Sequence, residues 1–506
     1  SLLSGGNTTS RYAVIHSDII DGKIEGQYNI GDVPAALYSL AAKTMPELFP
    51  ERQPEIDTDC NISINMTLRE NATTNNWLSF FKSPVKVLYP VTVKADFSNK
   101  EQILTASIEA PYLMQKDKFI DNTALHISVD GDSRQIVANA VTTFPTKHGA
   151  TNMSIDMNYA EGVSDVGTHW QVESPRRYEG RLSLTGEAAR STTGELYADI
   201  AVNRTTAIMN DTTWIINPSE ISYHANVLTI NNFEISRDKQ FIRIDGMASN
   251  NPLDRIVLQL QDIDLDYVFE ALAIPTAMFG GTATGDFYAS EIFSKTPVLY
   301  TPQLYVQGFK YNSALLGDAS IQSAWNPDTQ GITILADIVS DQSRHSSVDG
   351  VIYPTRSSLD FKFDTDSINI AFLRPFMAAF TSEVKGHASG HAHLYGTFAD
   401  VNLTGDIFAQ DFTLKIDYTN TQYHVTDSIH ITPGRIEFDN LTIKDDYGNS
   451  AKFNGYLGHN YFHDPWFEFK LSEARNLLCY DITPEINPDW YGRVFCNGTA
   501  YVKGVP

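Results

Sequence analysis

Apolar and polar residues alternate along most of the chain with a period of two. Within residues 226–246, Leu228 and Ile230 flank a polar threonine, and Ile242 and Ile244 resume the alternation after a turn rich in asparagine. This period, interrupted by Asn and Gly, predicts half-buried β-strands joined by tight turns. The same pattern fills residues 91–107, 124–129, 180–186, 331–350, 358–370 and 422–455.

Helical patterns are few and short. Residues 33–48 are rich in alanine and place Leu37 and Leu40 at helical spacing. Residues 266–274 and 371–380 are shorter candidates. We therefore expect an all-β protein into which a few short helices are inserted.

A long internal repeat organises the strands. Gly246, Gly350 and Gly455 each end a strand of alternating residues, and they recur at intervals of about 105 residues. The segment Gly281–Gly285 is matched at a similar distance by Gly386–Gly390. Repeats that contain many strands, without punctuation between them, are typical of a stacked, quasi-one-dimensional β architecture.

The repeats set the expected domain organisation. We expect residues 1–180 to form an N-terminal β-groove segment with a helical insert near 33–48. We expect residues 181–506 to form the repeats of about 105 residues. These segments should be continuous rather than separate globular domains, because no linker rich in Pro, Ser or charge divides them.

One face of each predicted strand is apolar, and the apolar face of a long sheet must be covered. A second sheet could cover it and form a sandwich. The sheet could instead curl onto itself and fill its interior with side chains, or curl loosely enough to hold lipid tails. The alternation by itself does not choose among the three, although small residues at the repeat anchors leave room inside.

Charge and composition exclude some functions. The 506 residues include 61 Asp and Glu against 37 Lys and Arg, for a formal net charge of −24. This balance argues against nucleic-acid binding and disfavours electrostatic docking on anionic lipid head groups. The sequence contains no run of about 18 consecutive apolar residues, so it predicts no membrane-spanning helix. The first residues lack the features of a signal peptide, and we expect the chain to be a fragment of a longer protein.

Candidate metal and redox residues are sparse. His387, His391 and His393 share one face of a predicted strand and could in principle bind a transition metal. A solvated outer face is the interpretation we favour, because the matching repeat lacks these histidines. Cys479 and Cys496 could meet across adjacent strands, but we favour two buried free thiols. We expect no metal site.

Candidate catalytic residues are equally sparse. Ser389, in the run Gly-His-Ala-Ser-Gly, resembles a nucleophile elbow only loosely, because it sits in a predicted strand. The acidic pairs Asp262 and Asp264, and Asp364 and Asp366, lie in equivalent amphipathic strands and indicate an acidic outer face rather than a glycosidase. We therefore expect no enzymatic activity and no cofactor.

The region 386–504 carries a family resemblance. It contains the runs GTFADVNLTGDIFAQDFTLKIDY, SIHITPGRIEFDNLTIKDDYGNSAKFNGYLGH, FEFKLSEARNLLCYDI and YGRVFCNGTAYVKG. In this order they resemble the C-terminal part of the TamB family, in the AsmA-like group of bacterial envelope proteins. From Arg181 onward the chain shows a weaker form of the same pattern of strands and glycines. Before Gly180 it shares with the family only the alternation of apolar and polar residues. Ala399–Val401 departs from the family, where many relatives have a turn that contains proline.

The resemblance implies a fold and a function. The implied fold is an elongated, repetitive β-sheet curled lengthwise into a taco-like groove with an apolar interior. The implied function is a periplasmic, bridge-like transfer of phospholipid between the inner and outer membranes of a Gram-negative envelope, or help in outer-membrane biogenesis. The implied partners are phospholipid acyl chains, an outer-membrane assembly-type β-barrel protein, and the inner membrane, which an N-terminal helix outside this chain would reach.

The alternating pattern indicates which residues would line such a groove. Acyl chains would lie on the apolar face while head groups stay in water at the open seam. The candidate lining residues are Leu228, Ile230, Ile242, Ile244, Val348, Ile436, Phe438, Leu441, Ile443 and Phe453. The alternative is an extracellular or surface β-repeat adhesin or carbohydrate-binding stalk, with a dry interior and exposed aromatic platforms.

Overall fold

The computed structural model describes residues 1–7, 10–49, 59–115, 118–146, 148–251, 253–265, 279–294, 297–340, 344–378 and 381–505. Within these ranges the chain forms 32 strands that belong to one sheet, and their pairing is antiparallel. Most strands pair with the strands that precede and follow them in the chain. This confirms the predicted all-β fold, with its long repetitive sheet and few short helices.

Contacts along the chain separate two compact units, residues 1–256 and 257–506, which we call the N-terminal and C-terminal units. This division falls inside a strand at residue 256, whereas the boundary expected from the sequence repeats lies at residue 180. The elements of the N-terminal unit are β1 (Leu2–Gly6), β2 (Arg11–His16), β3 (Ile20–Gln27), α1 (Val33–Thr44), β4 (Asn61–Leu68), α2 (Ala72–Phe80), β5 (Val85–Val87), β6 (Val91–Ser98), β7 (Ile103–Gln115), β8 (Lys118–Asp130), β9 (Gln135–Thr146), β10 (Gly149–Ala160), β11 (Val163–Val172), β12 (Glu179–Arg190), β13 (Leu196–Val202), β14 (Thr205–Met209), β15 (Thr212–Ile216), β16 (Ser219–His224), β17 (Val227–Arg237) and β18 (Gln240–Ala248).

The next strand, β19 (Arg255–Asp264), contains the division at residue 256. The remaining strands are β20 (Phe279–Ser290), β21 (Val298–Tyr311), β22 (Ala314–Asn326), β23 (Gly331–Val339), β24 (His345–Tyr353), β25 (Ser358–Asn369), β26 (Val384–Thr397), β27 (Val401–Ile416), β28 (Thr421–Thr432), β29 (Arg435–Asp445), β30 (Ser450–Asn460), β31 (His463–Ile482) and β32 (Gly492–Gly504). Two 3₁₀ helices lie at Pro354–Arg356 and Ile370–Met377.

The sequence predicted some of the helices. The candidate at 33–48 is confirmed as α1, and the candidate at 371–380 is a 3₁₀ helix, Ile370–Met377. The candidate at 266–274 lies outside the described residues. Helix α2 was not predicted, because its sequence ATTNNWLSF has little apolar periodicity. Its only local signal is Asn71, whose side chain caps the helix N-terminus.

The sequence repeat corresponds to strands in equivalent positions. Gly246, Gly350 and Gly455 lie on β18, β24 and β30, so each repeat advances by six strands. Gly455 has a φ of +136°, and a Cβ there would lie 2.1 Å from the carbonyl oxygen of Glu468 on the next strand. Only glycine avoids both the backbone strain and this clash. The anchor glycines therefore mark places where neighbouring backbones approach closely.

A recurrent β-bulge keeps the apolar residues on one face. In β29 the pairing with β30 shifts between Phe438 and Leu441, and Asn440 adopts a φ of +54°. The N–H of Asn440 donates to Oδ1 of Asn454 on β30 at 2.8 Å, so the bulge leaves no unpaired donor. Equivalent bonds, each from a left-handed residue to a side chain of the following strand, join Asn232 to Asp245, Asp262 to Thr284, Gly308 to Asp318, Ser367 to Ser389, Asp411 to Thr426, and Asn476 to Asn497.

We expect Gly455→Ala to lower the free energy of unfolding by about 2–4 kcal/mol, because the new Cβ meets the Glu468 carbonyl and the backbone cannot keep its φ without strain. Urea unfolding followed by circular dichroism measures this loss. Gly167→Ala is the matched control, because a Cβ at Gly167 meets nothing within 4 Å. Equal stability of the two variants would contradict the close approach at Gly455.

Candidate functional site

Four candidate lining residues lie on one face of the β17–β18 pair. Leu228, Ile230, Ile242 and Ile244 are each directly opposite an apolar or glycine residue of the other strand. Their partners are, respectively, Ala248, Gly246, Ile235 and Phe233. Directly opposed residues of antiparallel strands point to the same side of a sheet, so all four share one surface. We call this surface the apolar face.

The apolar face continues across the N-terminal unit. One row of side chains passes through nine paired strands, from β3 to β12, with each member directly opposite the next. The row consists of Ile24, Ile64, Ala95, Ala106, Ile127, Ala138, Met157, Val166 and Leu184. All nine are half-buried, neither sealed in a core nor fully exposed. We call them the nine-strand row; their alternation was visible in the sequence, but their register was not.

The apolar face is only partly covered. Beside the nine-strand row, Ile108 and Ile155 expose 37% and 38% of their surface. Apolar side chains of this face therefore stay within reach of solvent and of a ligand.

One end of the face in the N-terminal unit is covered by α1. Ala36 and Leu40 on this helix are buried against Cys60, Ile62 and Phe97. The helix therefore supplies the dry core of this unit at the strand ends that it covers.

A polar cluster holds the end of α1 in place. The Tyr159 hydroxyl lies 3.2 Å from the carbonyl oxygen of Thr44 and 3.1 Å from Oε2 of Glu47. Arg134 forms an ion pair with the same glutamate. Burial tends to raise the pKa of Glu47, but its own backbone N–H and the Arg134 and Tyr159 hydrogen bonds outweigh burial and lower it. These contacts fix the helix against the turns of the neighbouring hairpins.

The candidate residues of the C-terminal unit divide into two groups. Val348, Ile436, Phe438 and Phe453 are half-buried, like those of the β17–β18 pair, but Phe438 and Phe453 also pack against a buried cluster. Leu441 and Ile443, by contrast, are only 2% and 7% exposed and pack with Val425, Ala451 and Leu477. These two residues therefore belong to a packed cluster, which the alternating pattern could not distinguish from an open lining.

Polar bonds between non-adjacent strands close the sheet over this cluster. Asp445, which is 2% exposed, accepts hydrogen bonds from the N–H groups of Leu478, Asn449 and Tyr447 at 2.8–3.0 Å. The Tyr423 hydroxyl donates to the carbonyl oxygen of Leu478 at 2.8 Å. Residue 478 lies on β31, two strands away from β29. These bonds hold the sheet curled at this point.

The electrostatics of Asp445 follow from this arrangement. Burial raises the pKa of its carboxyl, but the hydrogen bonds from Asn449, Leu478 and Tyr447 outweigh burial and hold the pKa below its ordinary value. The carboxyl is therefore ionised at neutral pH, so both of its oxygens can accept hydrogen bonds.

The residues considered for chemistry face solvent or lie apart. His391 and His393 lie beside Asp364 and Asp360, at 3.4 Å and 2.8 Å, on the polar side of β25 and β26. Within the described ranges, no group of three or more His, Cys, Asp or Glu residues is arranged to hold a metal ion. In the same ranges, no helix has the length and apolarity needed to cross a membrane.

The cysteines are free thiols, as expected, but Cys479 and Cys496 are half-buried rather than buried. Burial, followed by a hydrogen bond with Cys496, raises the pKa of Cys479, so this thiol stays protonated at neutral pH.

The chain matches no protein-family model, no curated protein and no solved structure. The resemblance of residues 386–504 to the TamB family therefore stays a prediction.

We expect Leu441→Asp to destabilise the protein by about 3 kcal/mol or more, because the carboxylate would be buried in a packed cluster. Ile230→Asp, at a half-buried position of the apolar face, should cost only about 1 kcal/mol. Urea unfolding of the two variants compares these losses. Equal losses would show that Leu441 is as open as Ile230.

The hydrogen-bonded Asp445 should make stability depend on acid pH. Because its folded pKa lies below the ordinary value of 3.8, its contribution is present above pH 3.8 and is lost as pH falls through the folded pKa. Asp445→Asn should lower the free energy of unfolding by about 1–3 kcal/mol at pH 7. This difference between the wild type and the variant should narrow below about pH 4. Denaturant unfolding of both proteins across pH 3–7 measures the difference. Asp328→Asn, in an exposed turn, is the control. A gap that is constant with pH would contradict this role.

Proposed function

We propose that the apolar face of each unit binds phospholipid acyl chains and lets them slide along the sheet, as a bridge-like lipid-transfer segment. The observation that carries this proposal is the nine-strand row. Its side chains are apolar, continuous from strand to strand, and half-buried. A protein that needed this face only for its own core would cover it.

The dimensions of the row suit an acyl chain. Strands pair about 4.8 Å apart, so nine strands carry the row over roughly 40 Å. One leaflet of a bilayer has an apolar thickness of about 15 Å, half of the hydrocarbon core. An acyl chain would therefore contact only part of the row at a time and could move along it by exchanging one set of contacts for a similar set.

The energetics favour entry and do not oppose movement. Removing apolar surface from water yields about 25 cal/mol per Å², without requiring a directed polar contact. Because successive positions of the row are chemically alike, no single site holds the chain much more tightly than the next. Transfer of this kind breaks no bond, so the proposal involves no catalytic residue and no cofactor.

The cellular setting of the proposal comes from the family resemblance. Residues 386–504 support a periplasmic location, an anchor in the inner membrane through an N-terminal helix outside this chain, and an outer-membrane assembly-type β-barrel protein as partner. Help in outer-membrane biogenesis is the related role in this setting. The net charge of −24 is unsuited to nucleic acid as a further partner.

A carbohydrate-binding stalk or adhesin is the second candidate. Tyr418, Trp490 and Tyr501 expose 89%, 76% and 75% of their surface in the C-terminal unit. Exposed aromatic rings of this kind can stack on sugar rings. This function would need no ligand on the apolar face, so the same experiment separates the two candidates.

We expect phospholipid to co-purify with the protein and to be detected by lipid extraction and mass spectrometry. Ile244→Asp and Phe438→Asp should each lower the bound phospholipid about tenfold, or block its transfer between vesicles, because a charge on the apolar face opposes contact with acyl chains. Both variants should remain folded by circular dichroism, because these side chains are half-buried, but Phe438→Asp should lose more stability than Ile244→Asp, because Phe438 packs against the buried cluster of Leu441.

Thr229→Asp is the matched control, since it places the same charge on the opposite side of β17 and should leave lipid binding unchanged. Unchanged lipid binding by Ile244→Asp and Phe438→Asp would refute the proposal for these segments. Absence of phospholipid together with glycan binding would favour the stalk.

A further inference from the structure

Helix α2 and its C-cap residue carry a cluster of exposed aromatic rings. Trp77, Phe80 and Phe81 are 46%, 80% and 62% exposed. Their ring centroids lie 5.0 Å apart for Trp77 and Phe81, and 5.2 Å apart for Phe80 and Phe81. We call these three residues the aromatic ridge. Exposed apolar clusters mark surfaces that meet a partner, whereas single exposed rings need no such explanation.

The ridge is held outward by a rigid base. Asn75 binds the backbone of Val87 on β5 twice, through its Oδ1 at 2.8 Å and its Nδ2 at 3.0 Å. Asn71 accepts a hydrogen bond from the N–H of Thr74 at 2.9 Å and donates to the carbonyl oxygen of Asp18 at 2.6 Å. Thr74 itself is fully buried. Because the inner side of α2 is bonded to the sheet, the ridge stays exposed.

The chain segment that carries the ridge is basic, although the chain as a whole is acidic and Glu70 and Asp18 lie at the other end of the helix. Residues 71–95 contain no Asp or Glu, and the two lysines that follow the helix, Lys82 next to Phe81 and Lys86 on β5, are exposed. The chain as a whole carries a charge of −24. A short surface helix with Trp and Phe rings, followed in the chain by lysines, has the composition of elements that lie in the interface of a bilayer. There the rings enter the head-group region and the lysines meet anionic lipid.

We propose that the aromatic ridge, with Lys82 and Lys86, docks the N-terminal unit on the surface of a bilayer that contains anionic phospholipid. The net charge of the whole chain disfavours such docking. Salt screens charges that lie more than about 8–10 Å from the bilayer surface, so the charge of the local basic segment determines whether the ridge is attracted to anionic lipid. The ridge lies on α2 and not on the apolar face, so this contact does not depend on lipid binding by that face.

Vesicle flotation tests the proposal. Wild-type protein should float with phosphatidylcholine vesicles that contain phosphatidylglycerol, and less with phosphatidylcholine alone. The triple variant Trp77→Ser/Phe80→Ser/Phe81→Ser should lose about tenfold or more of this binding, because affinity follows buried apolar area. Lys82→Glu/Lys86→Glu should lose the preference for phosphatidylglycerol and its sensitivity to salt.

Phe376→Ser/Phe398→Ser is the matched control, because these rings are 68% and 54% exposed but lie outside the ridge. This variant should float like the wild type. The proposal is overturned if the wild type does not bind vesicles, or if the triple variant binds as well as the wild type while remaining folded by circular dichroism. Phospholipid extracted from protein purified away from vesicles reports on the apolar face instead, and the triple variant should retain it.

Discussion

The structure depends on keeping apolar side chains on one side of the sheet through strand after strand. A shift of one residue would turn every following side chain to the other side. Each bulge prevents this, because the left-handed residue, such as Asn440, absorbs the extra position and a side chain of the next strand accepts its N–H. The bond to Asn454 thus protects the backbone donor and also sets the side to which Leu441 points. Repetition of this arrangement produces a continuous apolar face.

Some parts of the apolar face are buried under other elements and other parts are half-open. This alternation is suited to a surface that binds a ligand. Helix α1 and the bonds around Asp445 create dry clusters at particular places, and these clusters supply stability. Between such places the side chains stay half-buried. A uniformly covered face would leave no room for a ligand, whereas a uniformly open one would expose apolar surface without a core to stabilise the sheet.

Two surfaces of different character serve the proposed roles. The apolar face is long and chemically repetitive, which favours weak contacts with mobile chains. The aromatic ridge on α2 is small, rigidly mounted and flanked by Lys82 and Lys86, which favours a fixed contact at the edge of a bilayer. The acidic residues mostly occupy the polar sides of the strands, where pairs such as His393 and Asp360 face solvent.

The alternation in the sequence determined the strands, the repeat anchored by Gly246, Gly350 and Gly455, and the side on which residues such as Ile230 and Ile244 lie, because the period of two is a local property of the backbone. It also determined α1, whose alanine-rich segment favours a helix by itself. Only the tertiary structure decided that Leu441 is buried while Ile230 is half-open, because burial depends on strands that are distant in sequence. Helix α2 and its ridge likewise depended on the bonds that Asn71 and Asn75 make to Asp18 and Val87, which no local pattern records.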